Sequence, residues 1–254
     1  MSHHIIQAIN LKYKYPDGHQ ALNGVAFRIT HGESVAIIGA NGAGKSTLLL
    51  HLVGVLFPEE GEIRIGEIPV SRKTLPLIRQ RVGMVFQDPD DQLFMPTVYD
   101  DVAFGPRNLK LPEEEVEKRV VASLDTVGIL HLKDRPPYKL SGGEKRAAAI
   151  ATVLAMNPDI LVMDEPTSSL DPRSRRRLIS LLKGFTHTKI IATHDLDMVF
   201  ELCERTIVLK DGRVMADGRT EKIISDAALM EECGLELPLG LLGCPVCGAK
   251  KTDS

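Results

Sequence analysis

A glycine-rich loop between a buried strand and a helix is the feature that most limits how this chain can fold. Residues 34–38 form an apolar run without polar alternation, which is typical of a strand covered on both faces. Residues 39–46 follow as the loop, and leucines at helical spacing continue from Lys45. A buried strand, a tight loop and a helix make half of a parallel α/β unit. We therefore predict a mostly parallel sheet covered by helices.

The rest of the chain alternates strands and helices in the same way. The predicted elements are strands at 160–163 and 189–193 and helices that begin at Ser141, after Pro172 and at Asp195. Residues 96–140 have a helical pattern, and two more strands flank the turn at 210–212. Runs on either side of the turn at 16–18 predict an N-terminal antiparallel sheet. The predicted fold class is α/β, with this antiparallel subdomain and a helical subdomain attached.

The composition excludes several classes of protein. A net charge of −3 and an aromatic content of 4% favour no nucleic-acid partner. No apolar run reaches the roughly 18–20 residues that cross a bilayer, and the first ten residues do not resemble a signal peptide. We therefore expect a chain that stays in the cytoplasm and contacts a membrane only through a partner.

The loop has the composition of a phosphate-binding loop. Its residues are Gly39, Ala40, Asn41, Gly42, Ala43, Gly44, Lys45 and Ser46, followed by Thr47. They fit the pattern G-x-x-x-x-G-K-[ST], in which backbone N–H groups and the start of a helix surround phosphate oxygens. Lys45 is expected to reach the β- and γ-phosphates, and the Ser46 hydroxyl to bind Mg²⁺. Taken alone, the loop predicts a site for ATP or GTP.

Two carboxylates follow the predicted buried strand at 160–163. Open α/β sheets bind ligands at the carboxyl ends of their strands, where Asp164 and Glu165 emerge. Asp164 is placed to hold the Mg²⁺ shell, and Glu165 to polarise a water molecule for attack on the γ-phosphorus. The alternative is a plain strand that ends in acids at a surface loop.

A second anion-binding helix start lies almost 100 residues after the first. Ser141 and Glu144 form a capping-box pattern, and Gly142 and Gly143 leave the helix end uncovered. The local alternative is an ordinary capped helix. One nucleotide does not obviously need both helix starts from a single chain.

With these motifs, the sequence resembles the ATP-binding cassette (ABC) ATPases over about residues 4–220. In that family the Leu-Ser-Gly-Gly-Glu signature of one subunit closes on the γ-phosphate held by the other subunit's loop. The resemblance therefore implies two ATP molecules sandwiched between two subunits. The second subunit is either a copy of this chain or a paralogue.

The resemblance assigns further residues to the site. Tyr15 matches the aromatic that stacks on adenine, with an ordinary strand aromatic as the alternative. Gln87 matches the glutamine that senses Mg²⁺ and the attacking water, and Asp171 lies in the loop that contacts the partner's site. His194 matches the switch histidine. The alternative is a structural histidine, which a lone histidine at such a position is about half the time. The implied catalytic set is Lys45, Gln87, Glu165 and His194.

Residues 86–106 are similar to the ATPase subunits of energy-coupling-factor importers, which take up cobalt, nickel or vitamins. In that group this segment docks on a membrane-embedded coupling subunit, which works with a substrate-binding membrane subunit. An acidic cluster suits basic partner residues, and four apolar side chains are predicted to line a groove beneath it. The acids are Asp88, Asp90, Asp91, Asp100 and Asp101, and the apolar residues are Phe94, Val98, Val102 and Phe104. The alternative for the acids is a solvated face.

These patterns divide the chain into an ATPase domain and a tail. The ATPase domain covers residues 4–234, with its helical subdomain at about 88–156, and the tail covers 235–254. In the tail, Cys244 and Cys247 have the spacing of a metal knuckle for Zn²⁺, to which Cys233 or a second copy adds ligands. The alternative is a pair of free thiols.

The sequence thus predicts an ATP- and Mg²⁺-dependent ATPase subunit of an energy-coupling-factor importer, peripheral on the cytoplasmic face of the membrane. The alternatives are the ATPase of another ABC transporter class and a soluble ABC ATPase that acts on DNA or ribosomes. DNA-repair members insert a long coiled coil before the signature, whereas only residues 88–140 intervene here.

Overall fold

Five parallel strands form the centre of the molecule. The computed structural model describes residues 4–238. The strands are β1 (His4–Lys14), β2 (Gln20–Thr30), β3 (Ser34–Ile38), β4 (Glu60–Ile65), β5 (Ile68–Pro69), β6 (Val82–Val85), β7 (Ile160–Asp164), β8 (Thr188–Ala192), β9 (Arg205–Lys210) and β10 (Arg213–Arg219). The helices are α1 (Lys45–Leu52), α2 (Leu75–Arg81), α3 (Val98–Asn108), α4 (Glu113–Thr126), α5 (Gly142–Leu154), α6 (Pro172–Gly184), α7 (Leu196–Leu202), α8 (Thr220–Ile224) and α9 (Ala227–Glu232).

The strands make two sheets. The larger sheet has the order β10-β9-β3-β8-β7-β6, and within it only the β9–β10 pair is antiparallel. The smaller sheet, β2-β1-β4-β5, is antiparallel. Strands β3, β7 and β8 are buried along their whole length because the smaller sheet and α1 cover one face and helices cover the other. The predicted α/β class with an antiparallel subdomain is confirmed.

Most predicted elements occur within a residue or two of their expected positions. Strand β3 has the predicted bounds, whereas β8 begins and ends one residue earlier than expected. Helix α5 follows Ser141, whose N–H donates to the Glu144 carboxylate at 2.7 Å in a complete capping box. Four elements between residues 60 and 85, namely β4, β5, α2 and β6, have no counterpart in the sequence prediction because their short runs lack a clear period.

Helices α3, α4 and α5 pack around a hydrophobic core of their own. Val98 and Val102 belong to this core and are fully buried, so the prediction that they line a surface groove is wrong. The two valines are four residues apart on α3 and therefore share the helix face that packs inward. Phe94 and Phe104, by contrast, are 63% and 42% exposed.

Asp101 is a buried structural residue, so the prediction of a surface acid is wrong for this position. Its Oδ1 accepts hydrogen bonds from the N–H groups of Phe94 at 2.9 Å and Met95 at 3.0 Å. Burial raises the pKa of its carboxyl group. Asp101 thus fixes the loop that carries Phe94. Asp88, Asp90 and Asp91 are exposed, and Asp100 is partly exposed.

Replacing Asp101 with Ala is expected to destabilise the protein by about 1–3 kcal/mol, because two backbone N–H groups lose their acceptor. Asp101→Asn is the matched control, since its amide oxygen still accepts both hydrogen bonds. Urea unfolding of the two variants measures the difference. An equal loss of stability in both variants would contradict the anchoring role.

The first residues of the predicted tail pack against the ATPase domain. Leu235 and Leu237 contact the hydrophobic core that covers the larger sheet. Cys233 is buried, and burial raises the pKa of its thiol, which disfavours the thiolate that a metal needs. Cys244 and Cys247 lie outside the described residues, so their zinc site stays a prediction. Between residues 4 and 238, no cluster of potential metal ligands and no membrane-spanning helix is found.

Candidate functional site

The register of the parallel strands brings three segments to one edge of the larger sheet. Ile37 of β3 and Asp164 of β7 both pair with Ala192 of β8. The residues that follow these strands therefore emerge together at their carboxyl ends, where open α/β sheets bind ligands. These segments are the loop 39–46, Glu165 and the pair Thr193–His194.

The phosphate loop is shaped by its glycines. Gly42 and Gly44 have φ values of +81° and +101°, in the left-handed region that favours glycine. A Cβ on Gly44 would also collide with the Ala21 carbonyl oxygen of β2. Helix α1 begins directly after Gly44 with no side-chain cap, so its first N–H groups stay available to an anion.

Lys45 lies under the loop. Its Nζ donates hydrogen bonds to the carbonyl oxygens of Gly39 at 2.8 Å and Ala40 at 3.2 Å. Burial lowers the pKa of this ammonium group, while the nearby carboxylates of Glu165 and Asp164 act in the opposite direction. The cation is therefore held at the loop with its charge only partly compensated, as an anion-binding site requires.

Asp164 has the surroundings of a cation ligand. Burial raises the pKa of its carboxyl group, whereas a hydrogen bond from Ser46 lowers it. Its Oδ1 is buried and has no hydrogen-bond partner. A buried carboxylate oxygen without a partner is costly unless a ligand satisfies it. Oxygen donors from Asp164 and Ser46 are the type that Mg²⁺ prefers, so these residues fit that ion.

Glu165 is held in an unusual backbone conformation. Its φ is +44°, and its N–H donates to the Ala192 carbonyl at 2.8 Å. Its Oε2 accepts hydrogen bonds from the Thr193 hydroxyl at 3.0 Å and the His194 N–H at 3.3 Å, and lies 2.9 Å from His194 Nδ1. Non-glycine residues in this region cluster at functional sites. The turn aims one carboxylate oxygen at the histidine.

Lys45, Glu165 and His194 line one open cleft of about 440 Å³, whereas the buried Asp164 does not line it. Its lining residues are Tyr15, His19, Ala21, Asn41, Gly42, Gly44, Lys45, Ser46, Thr47, Gln87, Glu165 and His194. The cleft thus joins the predicted base-stacking tyrosine, the phosphate loop and the candidate catalytic residues in a single chain. Gly39, Ala40 and Asn41 also border a neighbouring depression closed by residues 234–238.

Arg146 of α5 holds the segment that carries Gln87. Its guanidinium donates to the carbonyl oxygens of Phe86 at 2.7 Å and Gln87 at 2.6 Å. Arg146 is buried, and burial lowers its pKa. Lys145 adds an ion pair to Asp90 at 2.6 Å. The sequence motifs did not reveal either contact, because the partners lie about 55–60 residues away in the chain.

The signature residues do not reach this cleft. Ser141 and Gly143 border a different cavity, between α5 and α6, and Gly142 borders a third. Asp171 caps α6 through the N–H groups of Arg173 and Ser174. The signature residues therefore border cavities other than the cleft of the phosphate loop, although Gln87 lines both that cleft and the cavity of Gly142.

A model of the ABC transporter family matches residues 22–168, which is more than half of the chain. The chain belongs to the ABC transporter family. It is accordingly an ATP-binding subunit with ATPase activity. The resemblance stated from the motifs is confirmed.

Two relatives illustrate how similar this ABC chain is to other members. A protein of Geobacter sulfurreducens, provisionally named an ABC transporter ATP-binding protein, is 65% identical across 98% of this chain and 100% of its own length. The energy-coupling factor transporter ATP-binding protein EcfA of Methanothermobacter thermautotrophicus is 49% identical across 92% of this chain and 77% of its own.

Solved structures agree with this assignment. CbiO1 of Clostridium perfringens, described as part of the ABC transporter complex cbiONQ, has a TM-score of 0.80 and 43% identity over 93% of this chain and 96% of its own. The ATP-binding cassette MJ0796, solved as a dimer bound to ADP and Pi, has a TM-score of 0.77 and 32% identity over 85% and 98%.

Proposed function

We propose that this chain is the ATPase subunit of an ABC importer of the energy-coupling-factor type. The observation that carries the proposal is the cleft that joins Tyr15, the phosphate loop, Gln87, Glu165 and His194 while the signature lies elsewhere. Similarity to EcfA and to CbiO1 supports the importer type. We also propose that the chain lies peripherally on the cytoplasmic face of the membrane. The proposed cargo is cobalt, nickel or a vitamin.

The proposed reaction is in-line attack of water on the γ-phosphate of ATP. Lys45 and the N–H groups of residues 39–47 stabilise the negative charge that spreads in the transition state. Ser46, Gln87 and Asp164 would hold Mg²⁺, which supplies further positive charge when bound. Glu165 orients the water and takes up its proton.

His194 completes this proposed arrangement. Its Nδ1 lies 2.9 Å from Glu165 Oε2, so the imidazole sets the direction in which the carboxylate points. The carboxylate is also tied to the Thr193 hydroxyl and the His194 backbone. Three contacts to one oxygen hold Glu165 in a single orientation, which favours attack from a defined position.

The proposed catalytic unit is a dimer. Ser141, Gly142 and Gly143 lie at a capped helix start and do not line their own cleft, so we infer that a second chain brings its signature to the γ-phosphate. Asp171 lies beside this surface, where it would contact the partner's loop. The dimeric cassette MJ0796 supports this arrangement.

The proposed docking surface for the transmembrane coupling subunit is the exposed pair Phe94 and Phe104 with the acids around it. The two rings meet edge to face, with centroids 5.0 Å apart. Asp88 and Asp91 are exposed and lie close to Phe94 in the sequence. Exposed aromatics rimmed by charge are typical of interaction sites.

Replacing both Phe94 and Phe104 with Ser is expected to release the protein from membranes of its own cells while ATPase activity of the purified chain persists. The apolar contact with the coupling subunit is lost, but the cleft is untouched. Sedimentation of membranes measures the effect. The matched control is Phe200→Ser, since Phe200 is 51% exposed on α7. A wild-type protein that stays wholly soluble in this assay would contradict the importer proposal.

The membrane proteins that co-purify with the chain identify the cargo. We expect a coupling subunit and a substrate-binding subunit together. A second, paralogous ATPase in the same complex would show a heterodimer, and its absence a homodimer.

A further inference from the structure

We propose that His51 is a positioning residue for the nucleotide base. It holds the ring of Tyr15 in place through the ring of Tyr13, and it ties both tyrosines to the phosphate-loop helix. This inference rests on the proposed function, because it requires that Tyr15 stacks on the adenine of ATP.

Three aromatic rings contact one another in series from the cleft into the core. The Tyr15 and Tyr13 rings meet edge to face, with centroids 5.1 Å apart and planes at 83°. The Tyr13 and His51 rings meet in the same way, at 4.7 Å and 75°. Edge-to-face geometry at this distance is favourable and fixes the planes of the rings relative to each other.

Thr47 contacts both ends of this series of three rings. Its hydroxyl shares a 3.0 Å hydrogen bond with the Tyr15 hydroxyl, and its carbonyl oxygen lies 2.7 Å from His51 Nδ1. Thr47 follows Ser46 in α1. The base-stacking side of the cleft and the phosphate side are therefore joined through one residue of the helix.

His51 itself cannot touch the nucleotide. Its side chain is fully buried, and burial lowers the pKa of its imidazole, which favours the neutral form. Since the Thr47 carbonyl oxygen only accepts, Nδ1 carries the proton of the neutral ring. His51 thus acts on bound ATP only indirectly, through neighbours such as Tyr13 and Thr47.

A tyrosine that is already oriented loses less conformational freedom when a base stacks on it. Tyr15 is only partly buried and follows the last residue of β1, next to the turn at 16–18, and its ring contacts the rings of Tyr13 and His19. Loss of the His51 ring should therefore weaken the recognition of the base but not the recognition of phosphate.

The test compares two probes on the full-length chain by isothermal titration calorimetry, MgATP and magnesium tripolyphosphate, which has no base. For His51→Leu we expect the Kd for MgATP to rise roughly three- to tenfold, with the Kd for tripolyphosphate unchanged. His51→Phe keeps an aromatic ring and should retain most of the affinity for ATP. If His51→Leu does not fold, Tyr13→Leu removes the middle ring and is expected to behave in the same way.

The controls separate this inference from the proposed function. His31→Leu makes the same exchange at an exposed histidine and should change neither Kd. If Tyr15→Ala leaves the Kd for MgATP unchanged, the proposed stacking on adenine is wrong. If Tyr15→Ala weakens ATP binding while His51→Leu does not, only the positioning role is overturned. If His51→Leu raises the Kd for MgATP and the Kd for tripolyphosphate equally, the positioning role is also overturned, because such a result shows a general effect on the helix.

Discussion

Glu165→Gln abolishes steady-state ATP turnover and accumulates an ATP-bound dimer: this is the first result we expect. The amide keeps the shape of the side chain and an oxygen acceptor for Thr193 and the His194 N–H, so the cleft stays intact. It cannot take a proton from water. General-base catalysis contributes about 10²- to 10⁴-fold, and a loss of that size is expected.

Phosphate release and light scattering after size-exclusion chromatography measure the two parts of this result. Glu114→Gln is the matched control, since Glu114 is exposed in the first turn of α4, and it should behave as the wild type. Near-normal hydrolysis by Glu165→Gln would remove Glu165 from the proposed mechanism. If Glu165→Gln is inactive but stays monomeric with ATP, the catalytic role of Glu165 is supported and the predicted ATP-bound dimer is contradicted.

The second large effect is complementation between two inactive variants. Lys45→Ala removes the phosphate-binding cation from one surface. Gly142→Asp places a negative charge at the signature, where an added Cβ meets no neighbouring atom, so the fold should tolerate it. Each variant alone has no intact composite site. In a mixture, heterodimers restore one intact site, so up to about a quarter of the wild-type sites should be active.

The same ATPase assay on the separate and mixed variants measures this effect. Gly184→Asp is the control for Gly142→Asp, because the Cβ position at Gly184 is also open and lies at the end of α6. Mixtures that stay inactive, although light scattering shows that they dimerise, would contradict a site shared between two chains. Full activity of the wild-type monomer at high dilution would contradict it as well.

The sequence predicted the parts of the fold that local patterns encode. The strand Ser34–Ile38, the glycine loop and the capping box at Ser141 each depend on residues close together in the chain, and all three occur where they were expected. The candidate residues in the cleft were also identified in advance through short motifs. Their roles in catalysis are proposals, which the Glu165 and Lys45 variants test.

The surface near Phe94 shows where this reasoning fails. The apolar residues around α3 were predicted as one groove, but the helix turns Val98 and Val102 into the core and leaves Phe94 and Phe104 outside. Asp101 has the composition of a surface acid, yet it satisfies two backbone N–H groups inside the subdomain. Composition alone does not reveal which face of a helix finds a packing partner.

By itself, the sequence determined the glycine-rich phosphate loop, the buried strands and the capped signature helix, because each follows from the conformational and hydrogen-bonding preferences of neighbouring residues. Only the tertiary structure decided that Glu165 meets His194, that Arg146 holds the Gln87 segment and that His51 lies behind the tyrosines. These contacts join residues that are distant in the chain, and strand register and helix packing set them. The same packing keeps the signature out of the cleft of its own phosphate loop, which is why we propose that a second chain completes the site.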